Sequence, residues 1–377
     1  MENVNILKNQ SNPIFPNLNG LRFVGAFMVF VFHVFSLGRE HWGNFKDSTL
    51  FSILSKFTSK GHLGVSLFFV LSGFLITYLM LNELQKTGKI RLSNFIARRI
   101  LRVWPLYFVV VIFGFIVFPL LPYGKLTEHE LINFTFFLSN LDEIWFGARD
   151  SLNFLTATWS VSVEEQFYLS WALLIGIFRF SKKQQFWIFF LAILLISLIF
   201  RTVFIQNERI LYYHTLSVIS DFAVGGILAL LAFDNRIQSF FERISKFQIL
   251  LIYCIGIVVL FLESKIFINY LFVFQRIVIA TFFAFVIAEQ VYAKNSLIKL
   301  DQIPGLKKSG ELTYGFYLFH CIVIFYVQAI FVANQWTESI FYFSSYFFIC
   351  FSITYISSWI SFQYFESPIL KLKKHFR

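Results

Sequence analysis

The sequence predicts an all-α protein, a polytopic transmembrane bundle of about ten helices, from its composition and from the spacing of its apolar segments. Of its 377 residues, 57% are hydrophobic and only 14% are charged. Apolar stretches recur along the chain, and each approaches the roughly 20 residues that a helix needs to cross a bilayer. No long polar segment interrupts them, so a second, soluble domain is not expected.

The apolar windows place ten predicted spans along the chain. A further apolar stretch, Leu131 to Leu141, is too short to cross, and we expect it to be interfacial or re-entrant. The first 20 residues lack the apolar core of a signal peptide, so the first span is expected to stay in the mature protein. The predicted spans are 20–38, 62–82, 103–121, 158–179, 185–206, 215–233, 248–263, 269–292, 312–333 and 338–362.

Basic residues predict the orientation of these spans. With the N-terminus inside, 21 of the 32 Lys and Arg residues fall in inner segments and eight in outer loops. Because inner loops are enriched in Lys and Arg, both termini are predicted to be cytoplasmic. Residues 1–19 then form a cytoplasmic tail, 20–363 the transmembrane domain and 364–377 a basic cytoplasmic tail. These loops account for the net charge of +11, so nucleic-acid binding is not expected.

Several ionisable residues lie inside or at the ends of the predicted spans, where each costs about 2.5 to 3.5 kcal/mol on insertion scales. On the inner side, the arginines and a glutamate are expected to form a basic mouth. Guanidinium groups bind phosphate oxygens in a bidentate manner, so this mouth suits a polyanion such as the phosphates of coenzyme A. Ordinary anchoring at the inner face is the favoured alternative for Arg98. The residues of this mouth are Arg22, Arg98, Arg99, Arg102 and Glu366.

A histidine lies deeper in the first span. His33 follows Arg22 by eleven residues, which is about 16 Å along a helix and places it near the midplane. An imidazole can take a proton from a hydroxyl nucleophile, as acyl transfer to an alcohol requires. A buried structural histidine is an equally good interpretation from position alone.

The outer half of the bundle is predicted to be polar and chambered. Arg201 and Arg276 are interpreted as neutralising Asp221 and one of two adjacent glutamates. Those glutamates, Glu164 and Glu165, lie about 100° apart on a helix, so one is expected to line the chamber and the other to form a pair. His320 is expected nearer the middle of its span.

The three cysteines are interpreted as small core residues. Cys254, Cys321 and Cys350 lie within apolar stretches and are interpreted as lacking CxxC spacing and neighbouring ligand candidates. Neither a metal site nor a disulfide framework is predicted.

Six motifs occur in order along nearly the whole chain. They are NGLRFVGAFMVFVFHV with Arg22 and His33, GHLGVSLFFVLSGFLI around Ser72 and Gly73, ARRILRVWPLYF with Arg99, Arg102, Pro105 and Tyr107, ATWSVSVEEQFYL with Trp159, Ser160, Glu164 and Glu165, LTYGFYLFH ending at His320, and FESP with Glu366 and Pro368. With this set the chain resembles the acyltransferase-3 family of bacterial integral-membrane acyltransferases, which O-acetylate lipopolysaccharide, capsular and other surface glycans.

The resemblance implies the roles of the site residues and the location of the protein in a bacterial plasma (inner) membrane. His33, Arg22 and Glu366 would be catalytic, and Arg98, Arg99, Arg102 and Tyr107 would bind the donor. Acyl-CoA, as acetyl-CoA, is the implied donor substrate, with no permanently bound cofactor and no metal. The implied acceptor is a surface glycan or its lipid-linked precursor. The residues expected at the acceptor chamber are Ser72, Trp159, Ser160, Glu164, Glu165, Asp221 and His320.

The chain departs from the family pattern at two points. The stretch Tyr212 to Gly226 resembles a further helix of the family, with Asp221 as its acidic residue. An arginine often found shortly before that acidic residue is a serine here, at Ser217 or Ser220, which leaves the role of Asp221 open. Larger relatives carry a fused extracytoplasmic hydrolase-like domain, so a second transfer step is expected to need a separate protein.

Two other functions remain open at this stage. A transporter or flippase would show broken helices in matching halves, and a glycan polymerase would need a larger outer loop than the sequence offers. The sequence leaves open the acceptor glycan, the acyl chain length, the choice between direct transfer and an acyl-enzyme, and the oligomeric state.

Overall fold

The computed structural model describes residues 15–37, 39–123, 129–146, 154–178, 180, 182–234 and 236–376. Helices dominate, and the described ranges contain no β-strand. This confirms the predicted all-α class. Ten long helices correspond to the ten predicted spans, and we number them α1 to α10: Leu18–Ser36, Gly64–Thr87, Leu92–Ile112, Thr158–Phe178, Lys183–Val203, Thr215–Phe233, Lys246–Ile266, Gln275–Tyr292, Thr313–Ala333 and Ile340–Ser361.

Nine helical segments of the described chain are long and apolar enough to cross a membrane. The remaining long helix, α4, has 21 residues but is less apolar because it carries Glu164, Glu165 and Gln166. A helix with buried carboxylates crosses a bilayer when neighbouring helices cover its polar side. Glu165 is buried in the bundle, so α4 packs among the other long helices, and its crossing of the membrane stays a prediction.

Shorter helices connect the spans. The stretch Leu131 to Leu141, expected not to cross, forms parts of two short helices that pack on α3 and α4. The predicted span 269–292 is shorter in the structure, since Asn269–Val273 is a 3-10 turn and the helix begins at Gln275. The other short helices are Thr49–Thr58, Leu131–Thr135, Ser139–Trp145, Glu208–Tyr213, Arg236–Arg243, Leu306–Ser309 and Ser367–Lys371.

Contacts among helix ends and the segments that connect the helices show which of them lie at the same end of the bundle. At one end, Arg98 Nη1 donates to the Phe376 carbonyl at 2.6 Å, and the Asn17 backbone N–H donates to Asp301 Oδ2 at 2.9 Å. At the other end, Lys60 Nζ lies 2.7 Å from Glu263 Oε1. Because Arg22 of α1 and Arg99 of α3 line one cavity, the start of α1 and the last described residues lie at the same end.

Two helices approach closely at the centre of the bundle. A Cβ added at Gly73 of α2 would lie 2.1 Å from the Phe222 carbonyl oxygen of α6. A Cβ added at Gly225 of α6 would lie 2.1 Å from the Val70 carbonyl oxygen of α2. Small residues let transmembrane helices come this close. The contact fixes α2, which carries Ser72, against the middle of the bundle.

Helices α3 and α10 each continue through a π-helical turn, Phe113–Val117 after α3 and Phe362–Glu366 after α10. The segment predicted as a cytoplasmic tail from residue 364 is therefore helical, and it runs through Ser367–Lys371 and Leu372–Phe376. The second of these turns places Glu366 beside α9, where its Oε1 would lie 3.2 Å from a Cβ added at Gly315.

Candidate active site

A cavity of about 120 Å³ lies in the basic half of the bundle, between α1, α2, α3, α4 and α9. It brings together three of the predicted mouth residues with residues that were expected at the acceptor chamber. Its polar lining residues are Arg22, Ser72, Arg99, Arg102, Ser160, Glu164, Tyr168, Thr313, Tyr314 and Tyr317. We call it the inner cavity.

The three arginines of the inner cavity are held by contacts other than ion pairs. Arg22 Nη1 donates to Asn19 Oδ1 at 3.1 Å. The Arg99 guanidinium lies over the ring of Tyr168, 5.3 Å from its centroid, and its buried Nε has no hydrogen-bond partner. Among the described residues, no ion pair involves Arg22, Arg99 or Arg102. The cavity thus holds an excess of positive charge.

Asp301 positions the start of α1 and hence Arg22. Its Oδ1 accepts from the Gly20 N–H at 2.8 Å and its Oδ2 from the Asn17 N–H at 2.9 Å. A carboxylate at a helix N-terminus satisfies N–H groups that have no partner within the helix. Asn17, with a φ of 65°, turns the chain into the helix at this point.

Glu164 is the one carboxylate among the residues that line the inner cavity. Ser72 Oγ donates to Glu164 Oε1 at 2.9 Å, and the Tyr168 hydroxyl donates to Glu164 Oε2 at 3.1 Å. Tyr168 follows Glu164 by four residues, so both lie on one face of α4. One carboxylate therefore faces three guanidinium groups.

His33 and His320 meet beyond this cavity. His33 Nδ1 lies 2.8 Å from His320 Nε2, with the ring planes 24° apart and the centroids 5.0 Å apart. His320 Nδ1 lies 2.6 Å from the Tyr317 carbonyl oxygen. His320 is fully buried, whereas His33 is partly exposed. The rings meet edge to edge, as in a hydrogen bond rather than a stacked pair.

Cys321 lies against both histidines. Its Sγ is 3.3 Å from His320 Nε2 and 3.5 Å from His33 Nδ1. The expectation that the cysteines lack neighbouring ligand candidates is therefore wrong for Cys321, because α9 places it and His320 together beside α1. One sulfur and two nitrogen atoms in this arrangement could hold a metal ion, and imidazole and thiolate are the ligands that zinc prefers. The absence of a metal remains a prediction.

A second cavity, of about 310 Å³, opens toward the other end of the bundle. We call it the outer cavity. Trp159 and Tyr212 provide aromatic surface. Arg276 also lines the cavity, and its Nη2 pairs at 2.9 Å with Oδ2 of Asp221, which does not line it. Its polar lining residues are His62, Ser66, Trp159, Arg201, Glu208, Tyr212, Glu263, Gln275 and Arg276.

Arg201 does not pair with a glutamate, so that part of the expected charge pairing is wrong. Its Nη1 donates to Ser217 Oγ at 2.9 Å, and its Nε and Nη2 donate to the carbonyls of Val273 and Phe272. The turn Asn269–Val273 presents these carbonyls to the guanidinium. Neutral oxygens thus satisfy Arg201.

The two cavities meet on the same helices. On α2, Ser66 lines the outer cavity and Phe68 lines the inner one. On α4, Trp159 lines the outer cavity and Ser160 lines the inner one. His33 is in neither lining set of the described residues, but Phe32 beside it packs on His62 of the outer cavity, with ring centroids 5.5 Å apart. Tyr317, one turn before His320, lines the inner cavity. The histidine pair therefore has a neighbour in the lining of the inner cavity, Tyr317, and lies one residue from a contact with the outer cavity.

Other predicted site residues lie outside both cavities. The Tyr107 hydroxyl donates to the Phe134 carbonyl at 2.9 Å, and Trp104 Nε1 donates to Glu165 Oε2 at 2.8 Å. Glu366 Oε1 accepts from Ser361 Oγ at 3.0 Å. Arg98 bonds the Phe376 carbonyl and lies 3.9 Å from Glu83, which fits its anchoring interpretation.

Sequence reasoning missed Tyr168, Asp301 and Cys321. Tyr168 could have been found, because it follows Glu164 at the i+4 position of a helix. Cys321 is adjacent to His320 in the chain. Asp301 gave no local signal, since it acts on a helix 281 residues away.

Comparison with known proteins decides the family. The family Acyl_transf_3, described as an acyltransferase domain, matches residues 15–361. The chain belongs to this acyltransferase family. The match covers the inner cavity, the histidine pair and the outer cavity, and it ends before Glu366.

The relatives that this chain matches carry O-acetyltransferase names. The chain is 26% identical over 379 residues to the O-acetyltransferase OatA of Staphylococcus aureus (strain NCTC 8325 / PS 47), which covers 94% of this chain and 57% of OatA. It is also 26% identical over 373 residues, with the same coverage, to the Staphylococcus aureus (strain COL) protein named "Putative O-acetyltransferase SACOL0978". The chain thus spans little more than half the length of these relatives. No solved structure matches this chain.

Proposed function

We propose that this chain transfers an acetyl group from acetyl-CoA on the cytoplasmic side to a hydroxyl of a glycan, or of its lipid-linked precursor, on the outer side of a bacterial plasma membrane. The observation that carries the proposal is that the histidine pair contacts both sides: His320 bonds the carbonyl of Tyr317, which lines the inner cavity, and Phe32 beside His33 packs on His62 of the outer cavity. Membership of the acyltransferase family and the O-acetyltransferase names of its relatives support the reaction class.

The donor is assigned to the inner cavity by charge. Three guanidinium groups without ion pairs and one carboxylate favour an anion there, and arginine binds phosphate oxygens strongly. A volume of about 120 Å³ is too small for a whole acyl-CoA, so the nucleotide would lie outside the cavity, at the same end of the bundle. The thioester arm would then extend along α1 toward His33.

The acceptor is assigned to the outer cavity. Trp159 and Tyr212 offer aromatic faces, and Glu208, Glu263 and Gln275 offer planar polar groups. Aromatic faces combined with hydrogen-bonding groups suit a sugar ring, which has apolar C–H faces and a rim of hydroxyls.

In the proposed reaction, His33 acts as general base and transfer is direct. The acceptor oxygen attacks the thioester carbonyl carbon while its proton passes to His33, and a C–O bond forms as the C–S bond breaks. The protonated His33 then returns the proton to the coenzyme A sulfur, which leaves as the thiol. Placing donor, acceptor and base together is the main catalytic contribution.

The test follows label from [14C]acetyl-CoA onto extracted glycan in membranes that contain the wild-type chain or His33→Ala. We expect loss of transfer by a factor of about 100 or more, as for removal of a general base, with unchanged protein abundance. His214→Asn is the matched control, because His214 caps α6 through its side chain and Asn preserves a cap. Full activity of His33→Ala would contradict the proposal, as would solute movement without any transfer of label.

A further inference from the structure

We infer that His320 is a positioning residue that fixes the tautomer of His33, so that His33 Nε2 is the basic atom. This inference rests on the proposed function and assigns a role to a residue that lines neither cavity of the described chain. The Tyr317 carbonyl, the His320 ring and His33 Nδ1 form a chain of close polar contacts.

The first contact is between His320 and the Tyr317 carbonyl. His320 Nδ1 lies 2.6 Å from this oxygen, and a carbonyl oxygen can only accept a hydrogen bond. His320 Nδ1 therefore carries a proton. In a neutral imidazole one nitrogen is a donor and the other an acceptor, so His320 Nε2 has a free lone pair.

The second contact joins the rings of His320 and His33. His320 Nε2 lies 2.8 Å from His33 Nδ1, and two nitrogen lone pairs would repel each other at that distance. A proton must lie between them, and it belongs to His33 Nδ1 because the single proton of a neutral His320 is on Nδ1. His33 Nδ1 thus donates to His320, and the lone pair of His33 is on Nε2.

A doubly protonated His320 is the alternative arrangement. It would place an imidazolium at a fully buried position, where the described neighbours of its ring nitrogens are a carbonyl, a histidine and a thiol. A buried charge without a counter-ion is costly. Cys321 cannot replace His320 as the partner of His33, since sulfur is a weak acceptor and lies 3.5 Å away.

For catalysis, the contact with His320 fixes the orientation of the His33 ring. His33 is the less buried of the two rings, and its Nδ1 is engaged by His320 of α9, so Nε2 is the nitrogen left for a substrate hydroxyl. When Nε2 takes the substrate proton, the hydrogen bond from Nδ1 to His320 stabilises the charged ring. In serine proteases, an aspartate orients the catalytic histidine in the same way.

Two variants of His320 separate positioning from packing. In His320→Gln, the amide oxygen replaces the Nε2 acceptor, whereas in His320→Asn the amide N–H₂ replaces the Nδ1 donor to Tyr317 and nothing accepts from His33. We expect His320→Asn to lower kcat about 100-fold with little change in KM, and His320→Gln to retain activity within about tenfold of wild type. A wild-type kcat for His320→Asn, or an equal kcat loss in both variants, would overturn the inference.

A spectroscopic measurement tests the tautomer without any variant of His320. In 15N-histidine-labelled protein in nanodiscs, protonated and unprotonated ring nitrogens resonate in separate ranges, and His33→Asn assigns the His33 signals. We expect a protonated Nδ1 and an unprotonated Nε2. The reverse tautomer, or a metal-bound Nδ1 that becomes protonated after chelation, would refute the inference. Loss of activity in His33→Ala with the reverse tautomer would leave the proposed function standing.

Discussion

At the residue scale, the inner cavity combines groups of opposite charge without letting them pair fully. Ser72 and Tyr168 donate to both oxygens of Glu164, so this carboxylate is satisfied by neutral donors. Arg99 lies over aromatic rings and leaves its Nε without a partner. A buried unpartnered donor is costly, and an incoming phosphate or thioester oxygen would relieve that cost.

Adjacent arginines on α3 provide a test of donor binding. Arg99 lines the inner cavity, whereas Arg98 bonds the Phe376 carbonyl outside it. We expect Arg99→Ala to raise KM for acetyl-CoA roughly 10- to 100-fold, which corresponds to losing a charged hydrogen bond of about 1.5 to 3 kcal/mol. Arg98→Ala, the matched control, should change KM less than about threefold, because partly exposed contacts contribute little. Equal effects of the two variants in initial-rate measurements would remove Arg99 from the donor site.

At the element scale, the crossing of α2 and α6 holds the site together. Gly73 and Gly225 bring backbone against backbone, and Ser72 is adjacent to the contact. The ring of Phe69 on α2 stacks on Phe222 of α6, with centroids 4.6 Å apart. The inner cavity is formed in part by α2, so a change in this crossing would displace Ser72 and with it Glu164.

Substitution of these glycines should destabilise the bundle. In Gly73→Ala and Gly225→Ala, the new methyl group would overlap a backbone oxygen that cannot move by a rotamer change, and overpacking of this kind costs about 1 to 3 kcal/mol. We expect a lower melting temperature in detergent, measured by fluorescence-detected size exclusion after heating. Gly176→Ala is the control, since its nearest neighbour is the end of a flexible side chain, Leu92 Cδ1 at 2.9 Å. A melting temperature of Gly73→Ala equal to that of the control would show that the helices separate freely.

At the scale of the whole molecule, the two cavities lie toward opposite ends of the bundle, and both are lined by residues of α2 and α4. Polar contacts such as Arg98 with Phe376 define one end, and Lys60 with Glu263 defines the other. The structure fixes which loops share an end. The side of the membrane that each end faces is a prediction from the distribution of basic residues.

Cysteine labelling tests the orientation of the whole molecule. In a Cys254→Ala background, we place one cysteine at Lys265 and another at Lys307, both exposed and at opposite ends of the bundle. A membrane-impermeant maleimide should label Lys265→Cys in intact spheroplasts and Lys307→Cys only after permeabilisation, as the positive-inside rule requires. The opposite pattern would put the inner cavity on the outer face and exclude a cytoplasmic donor there.

The sequence by itself determined the all-α class, the long apolar helices and the cluster of arginines at one end of the bundle. Apolar length and basic loops are local properties, so ten helices and the cluster of Arg22, Arg99 and Arg102 could be predicted from them. The motifs indicated the acyltransferase family, which the family comparison confirms, and they predicted a catalytic role for His33. Residue counts along a helix placed His33 near the middle, but they contain no information on helix tilt or rotation.

Only the tertiary structure decided which polar groups meet. It placed Glu164, Ser72 and Ser160 with the arginines, Tyr107 against Phe134 and Arg201 against backbone carbonyls. It also joined His33 to His320, 287 residues later in the chain. These partners depend on how helices rotate and cross, which is determined by close contacts such as Gly73 with Phe222 between segments far apart in sequence. The periodicity of one helix does not specify the neighbour that its polar face meets.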